Sequence, residues 1–86
     1  MQLPHIHLNG TPAETLERQY YNAVYAVSEA LEDLRKIETH GRDYYAISSD
    51  AINVAVSEHR ERVAKLESVK ADLERLVLHC RKDMKD

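Results

Sequence analysis

The chain has 86 residues, of which 43% are hydrophobic and 31% charged, and its formal net charge is -3. This length allows one small domain, whose core is modest and for which a partner chain is the expected supplement. Basic and acidic residues alternate in the second half, without the basic stripe that a nucleic-acid polymer requires. All the aromatic residues are tyrosines, and this composition is typical of long amphipathic helices.

The single cysteine, Cys80, cannot form a disulfide within the chain. The chain begins without a cationic and apolar signal segment, and no apolar run approaches the ~18 residues of a membrane span. We therefore expect a soluble cytoplasmic protein that makes no contact with membranes.

The first predicted helix covers residues 12–39. Thr11 as N-cap, Pro12 at the first helical position and Glu14 three residues after the cap match a capping box. Gly41 can adopt the left-handed conformation that ends helices. Apolar residues then recur at spacings of three and four, which predicts one buried face: Leu16, Tyr20, Ala23, Val24, Val27, Leu31, Leu34 and Ile37.

The second predicted helix covers residues 50–82, and residues 83–86 are expected to fray. Ser48, Ser49 and Asp50 are its candidate caps. A heptad-like seam runs along it and comprises Ile52, Val56, His59, Val63, Leu66, Leu73, Val77 and Cys80, with Lys70 in the one polar gap beside Val69.

The expected fold is therefore all-α: a single domain over residues 1–86, built as an antiparallel helical hairpin. An extended arm, residues 1–10, precedes it, and a connector, residues 40–49, joins the helices. A hairpin leaves one helix to cover each apolar face, so we expect a helical-bundle oligomer, of which a four-helix dimer is the simplest form.

The arm alternates His5, His7 and Asn9 with Ile6 and Leu8, as an extended strand would. Three interpretations stay open. Ile6 and Leu8 dock on the bundle, or the polar side joins Thr11 at the helix start to attract an anion such as phosphate, or the histidines share a metal ion with His40 or His59. The sequence contains neither the CxxC nor the HExxH motif that would support a metal site, so no metal or cofactor is expected.

The connector concentrates four residues with binding chemistry: Arg42, Asp43, Tyr44 and Tyr45. In one interpretation Arg42 and Asp43 pair, and the tyrosines cover the end of the bundle. In the other, Arg42 forks around a phosphate, a tyrosine stacks on a base and Asp43 accepts from the base or the ribose.

Three residues within the helices are candidate contacts between chains. His59 lies in the apolar seam, either as a hydrogen-bonded core residue that fixes register or as a pH-sensitive group. Tyr21 and Tyr25 lie one turn apart beside Arg18, and exposed tyrosines favour interfaces.

Catalysis is not expected. Cys80 occupies a packing position in the seam, and His5 and His7 have no partner nucleophile. Within one hairpin the arm and the connector lie roughly 40 Å apart, at opposite ends of the first helix. In an antiparallel pair of hairpins they would meet and form a composite pocket for a small anionic nucleotide.

The combination of "PHIHLNGT" before a helix and "GRDYY" between helices resembles small uncharacterised helical proteins of bacteriophages and prophages. That resemblance implies a phage protein acting in the cytoplasm of a bacterial host. Small oligomeric phage proteins of similar size include sponges, which sequester the cyclic nucleotide signals of bacterial immunity without cleaving them. Sequestration of a phosphorylated nucleotide in a pocket between protomers is thus the function that the sequence favours, and immune evasion would be its purpose.

The alternative is a helical protein-protein interaction module, such as an inhibitor of a host complex or a phage assembly factor. Tyr21 and Tyr25 would be central to its binding surface.

Overall fold

The protein is a two-helix hairpin in the computed structural model, which describes residues 1–84. Helix α1 spans Ala13–Arg35 and helix α2 spans Ala51–Arg81, and no strand occurs in this part of the chain. An ion pair joins Arg35 to Glu67 and another joins Arg81 to Glu17, so the helices run antiparallel. The all-α hairpin is confirmed, whereas assembly into an oligomer stays a prediction. Residues 85–86 of the expected frayed tail lie outside the described residues.

The capping box predicted at Thr11 is wrong. The N-cap is Pro12, and no side-chain hydrogen bond caps the helix there. Thr11 is exposed. The amides of Thr15 and Leu16 both donate to the Pro12 carbonyl at 3.1 Å. Because the helix begins one residue later than expected, Glu14 is the second helical residue rather than the third, and the reciprocal bonds of a capping box cannot form.

Helix α1 ends four residues earlier than predicted, and Gly41 does not end it. The Lys36 amide donates to Asp33 and the Ile37 amide to Leu34, at 3.1 and 3.2 Å, so the last turn tightens. These bonds satisfy carbonyls in the last turn of the helix, so no glycine in the left-handed conformation is needed there. Gly41 has no positive φ and instead opens a short 3₁₀ turn, Gly41–Asp43.

Helix α2 matches the prediction to within one residue at each end. Its N-cap is Asp50, which caps through its backbone: the carbonyl accepts from the amides of Asn53 and Val54, and no side-chain cap bond forms. Every residue predicted for the seam is buried or half-buried, including His59 and the polar Lys70. The heptad spacing therefore identified the packed face correctly.

The core of the hairpin is thin. Only Ala13, Leu31, Val77 and Cys80 are fully buried among the hydrophobic residues that the structure describes. The molecule measures 61 × 21 × 16 Å and has a radius of gyration of 18.9 Å. A compact chain of this length would have a radius of about 12 Å. The chain therefore leaves both long flanks of the hairpin open to solvent or to a partner.

Cys80 lies at the end of α2 with none of its surface exposed. Burial raises the pKa of its thiol, because the thiolate is disfavoured away from water. A thiol in this setting is a packing residue with low reactivity, in keeping with its position in the seam.

Candidate functional site

The residues predicted to bind a ligand form two separate groups. The arm group, His5, His7, Asn9 and Thr11, precedes α1, and the connector group, Arg42, Asp43, Tyr44 and Tyr45, follows it. A helix of 23 residues separates the two groups by about 35 Å. One chain does not bring them together, so a pocket that uses both groups needs a second copy.

The arm is less regular than the expected strand. The Gly10 amide donates to the His7 carbonyl at 3.1 Å, and this turn ends the alternation. Ile6 is half-buried, but Leu8 is 98% exposed, so the expected docking of both side chains holds only for Ile6. Leu8 and Asn9 are the two central residues of this turn and Gly10 is its last residue, a position that glycine favours in type I turns, so Leu8 lies outside any regular alternation.

Two histidines of the arm stack on each other. The rings of His5 and His7 have centroids 5.6 Å apart. A Cβ at Gly10 would lie 2.9 Å from Nε2 of His7, so a larger residue there would displace the ring. The glycine therefore makes room for the stacked pair.

The arm is anchored by His79, a residue for which the sequence pattern gives no signal. Its Nε2 donates to the Pro4 carbonyl at 2.6 Å. Leu3 lies nearby, in a shallow groove with Leu78 and Lys82. The arm thus folds back along the last turns of α2.

The connector was expected to cover the end of the bundle with both of its tyrosines, and this holds for one of them. Tyr44 is half-buried, whereas Tyr45 is 76% exposed, so only one tyrosine covers the end of the hairpin. Arg42 and Asp43 do not form an ion pair within residues 1–84. Both side chains stay exposed on the 3₁₀ turn.

A groove of about 360 Å³, here called the connector groove, lies between Tyr44 and α2. Its polar lining includes Thr39, Glu58, His59 and Arg62, and Arg42 does not line it. Glu58 precedes Arg62 by four residues, so a carboxylate shares the helix face with the guanidinium. The groove therefore offers both an anion-binding and a cation-binding group.

A smaller groove of about 180 Å³, here called the tyrosine groove, lies at the arm end of the hairpin. Its main residues are Tyr21, Leu78 and Arg81. The Arg81 guanidinium lies 5.9 Å from the centroid of the Tyr21 ring and donates to the Glu17 carboxylate at 3.2 Å. These two contacts favour this orientation of the arginine, whose side chain is half-exposed.

Tyr25 extends this surface by one turn of α1. It is 62% exposed. A hydrogen bond with Glu29, together with the negative charge of that carboxylate, raises the pKa of Tyr25. The predicted tyrosine ridge is thus accessible, and Leu78 and Arg81 complete it from the other helix. The sequence carried no signal for this, because Arg81 lies 60 residues after Tyr21.

The part of the chain that the structure describes, residues 1–84, contains neither a cluster of metal-ligating side chains nor a membrane-spanning helix. No group of three or more His, Cys, Asp or Glu side chains there is arranged to hold a metal ion. Neither helix combines the length and the apolar character needed to cross a membrane. Comparison of the chain with protein-family models, with curated proteins and with solved structures found no match.

Proposed function

We propose that this protein is a helical protein-protein interaction module that acts by binding rather than by catalysis. The tyrosine groove is its binding site, and an apolar segment of a partner protein is the occupant. The observation that carries this proposal is the Arg81 side chain, which Glu17 fixes beside the exposed Tyr21 ring.

Tyrosine and arginine are the residues most often found at the energetic centres of protein interfaces. They contribute most when their side chains are already ordered, because less conformational entropy is then lost on binding. Tyr21 and Arg81 have this property, since each contacts the other and Arg81 also contacts Glu17.

The size of the tyrosine groove favours a side chain over a free ligand. Small-molecule sites usually have volumes of ~300–1,000 Å³. The groove of about 180 Å³ falls below that range and suits one large apolar side chain. Leu78, which is 58% exposed, and Val24 supply the apolar contacts for it.

We expect Tyr21→Ala to abolish capture of the partner while the hairpin stays folded, because Tyr21 is half-exposed and contributes little to the core. The measurement is cross-linking and affinity capture from cells that express the protein, followed by mass spectrometry. Tyr45→Ala is the matched control, as it removes an equally large exposed ring at the other end. A partner retained equally by both variants would exclude the tyrosine groove.

A second candidate function is sequestration of a phosphorylated nucleotide, as a phage protein would use it against host signalling. The connector groove favours it, because its volume of about 360 Å³ falls within the range of small-molecule sites. Tyr44 offers a stacking face there, and Arg62 offers a fork for phosphate. Arg42 and Tyr45, both exposed nearby on the chain, would close over the ligand with the arm of a second copy.

For this second candidate, Arg62→Ala and Arg42→Ala should each weaken nucleotide binding at least tenfold, since a charge-assisted bond to phosphate contributes about 1.5–3 kcal/mol. Titration calorimetry with linear and cyclic nucleotides measures the effect, and mass spectrometry shows whether the ligand is released unchanged. Arg18→Ala, on the outer face of α1, is the control. If no nucleotide gives a heat of binding, nucleotide sequestration is excluded and the interaction module is the one remaining candidate function.

A further inference from the structure

One flank of the hairpin carries apolar side chains with no cover. This surface, here called the Val69 flank, comprises Val69, Leu73 and Leu76 of α2 with Ala26 and Ala30 of α1. Val69 and Leu76 are seven residues apart and therefore lie on one face of α2. Val69 is 46% exposed, and Leu73 and Leu76 are half-buried at the edge of the seam.

The two ion pairs between the helices lie on the opposite flank. Glu67, which pairs with Arg35, precedes Val69 by two residues, and two residues correspond to about 200° around a helix. Arg81, which pairs with Glu17, lines the tyrosine groove on the same side as Glu67. The Val69 flank is therefore separate from the tyrosine groove.

The accessible surface of the chain is larger than one compact molecule would have. It measures 6694 Å², whereas a compact monomer of 9.9 kDa exposes about 5,200 Å². The surplus of about 1,500 Å² exceeds the ~800 Å² that each partner contributes to a standard interface. The elongated hairpin thus exposes more surface than a compact monomer of its mass, and an interface of standard size would account for part of the surplus.

The charges beside the Val69 flank are complementary to themselves in one orientation. Lys65 lies four residues before Val69, and Asp72 lies three residues after it. Neither side chain forms an ion pair within residues 1–84. If two α2 helices cross antiparallel at Val69, Lys65 of each copy faces Asp72 of the other. A parallel pair would instead place like charges together.

We propose that a second copy of this chain covers the Val69 flank in a two-fold antiparallel dimer whose axis passes Val69. The product is a four-helix bundle, in which Val69, Leu73 and Leu76 of both copies form a shared core. This inference is independent of the tyrosine groove. It also places the arm of each copy at the same end of the bundle as the connector of the other, because the two copies run in opposite directions.

Cysteine cross-linking tests the position of the axis. Two thiols introduced by Val69→Cys would lie next to each other, and on mild oxidation they should form a disulfide-linked dimer at least tenfold faster than thiols introduced by Leu78→Cys. Leu78 is the control because it is exposed on the tyrosine-groove side. The native Cys80 stays buried and serves as the background, measured in the unmodified chain. Equal rates for the two variants would overturn the proposal.

A charge exchange tests the orientation. Lys65→Glu and Asp72→Lys should each weaken the dimer several-fold, as measured by sedimentation at a series of concentrations, and the double variant should restore it. Both positions are exposed, so the helices should stay folded, which circular dichroism checks. A double variant weaker than either single one, or a monomer mass for the unmodified chain at micromolar concentration, would overturn the antiparallel dimer. If a charge variant loses the dimer but still captures the partner protein, the dimer and the tyrosine groove are independent, and the proposed function stands.

Discussion

Leu31→Ala should lower the free energy of unfolding by about 2–5 kcal/mol, the range for deleting a buried leucine side chain. Leu31 is 1% exposed and, among residues 1–84, is one of two side chains that are almost wholly enclosed; the other is Cys80. With so small a core the hairpin has few other contacts to compensate for the cavity, and the total stability of a domain of this size is only a few kcal/mol. Urea denaturation followed by circular dichroism measures the change.

Ile47→Ala is the matched control for this experiment. Ile47 is a branched residue of the same size, but it is 74% exposed in the connector, so its truncation should change stability by less than about 0.5 kcal/mol. Both variants must be compared at one protein concentration, because association stabilises the folded state by mass action. An equal loss for the two variants would mean that Leu31 is not at the centre of the core.

Helical periodicity made most of the fold predictable from the sequence. The seam from Ile52 to Cys80 comprises about four seven-residue repeats. This spacing places residues on one face of a helix, whereas a strand would bury every second residue. The bounds of α2 followed from it to within one residue. The apolar face of α1 was equally clear up to Leu34, but it was extended too far, since Ile37 is exposed beyond the end of the helix.

The helix ends were less predictable, because several local solutions satisfy the same backbone groups. Thr11 and Glu14 have the residue types of a capping box, yet the Pro12 carbonyl begins the helix one residue later. Gly41 has the freedom to end a helix, yet a tightened turn at Lys36 does so first. Composition shows which residues are able to cap but not which of them does so: Thr11 stays exposed, and the Pro12 carbonyl accepts from the first two amides of the turn.

The candidate site depends on contacts between residues that are distant in the sequence. The tyrosines at 21 and 25 were identifiable because they lie one turn apart on one helix. Arg81 was not, since its contact with Tyr21 follows from the alignment of the two helices and from the ion pair with Glu17. The role of His79 was not predictable for the same reason, because its hydrogen-bond partner is the Pro4 carbonyl at the other end of the chain.

Substitution of two neighbouring residues of α2 should separate folding from binding. Val77 is 5% exposed and belongs to the core, whereas Leu78 beside it is open in the tyrosine groove. Val77→Asp would bury a carboxylate without a partner and should destabilise the hairpin by more than 3 kcal/mol, enough to unfold it. Leu78→Asp should leave the unfolding midpoint within about 0.5 kcal/mol of the original, since its carboxylate stays in water.

The same pair tests the proposed function and its pH dependence. Burial would raise the pKa of the carboxyl introduced by Val77→Asp, because the charged form is disfavoured in the core. The destabilisation should therefore be largest at neutral pH, shrink as the pH falls through the raised pKa of the folded state, and reach its minimum below about 4, where the carboxyl is neutral in the unfolded chain as well. Leu78→Asp should show no such recovery, but it should lose the partner protein, because a charge then occupies the apolar wall beside Tyr21. Partner capture by a folded Leu78→Asp variant at the original level would exclude the tyrosine groove as the binding site.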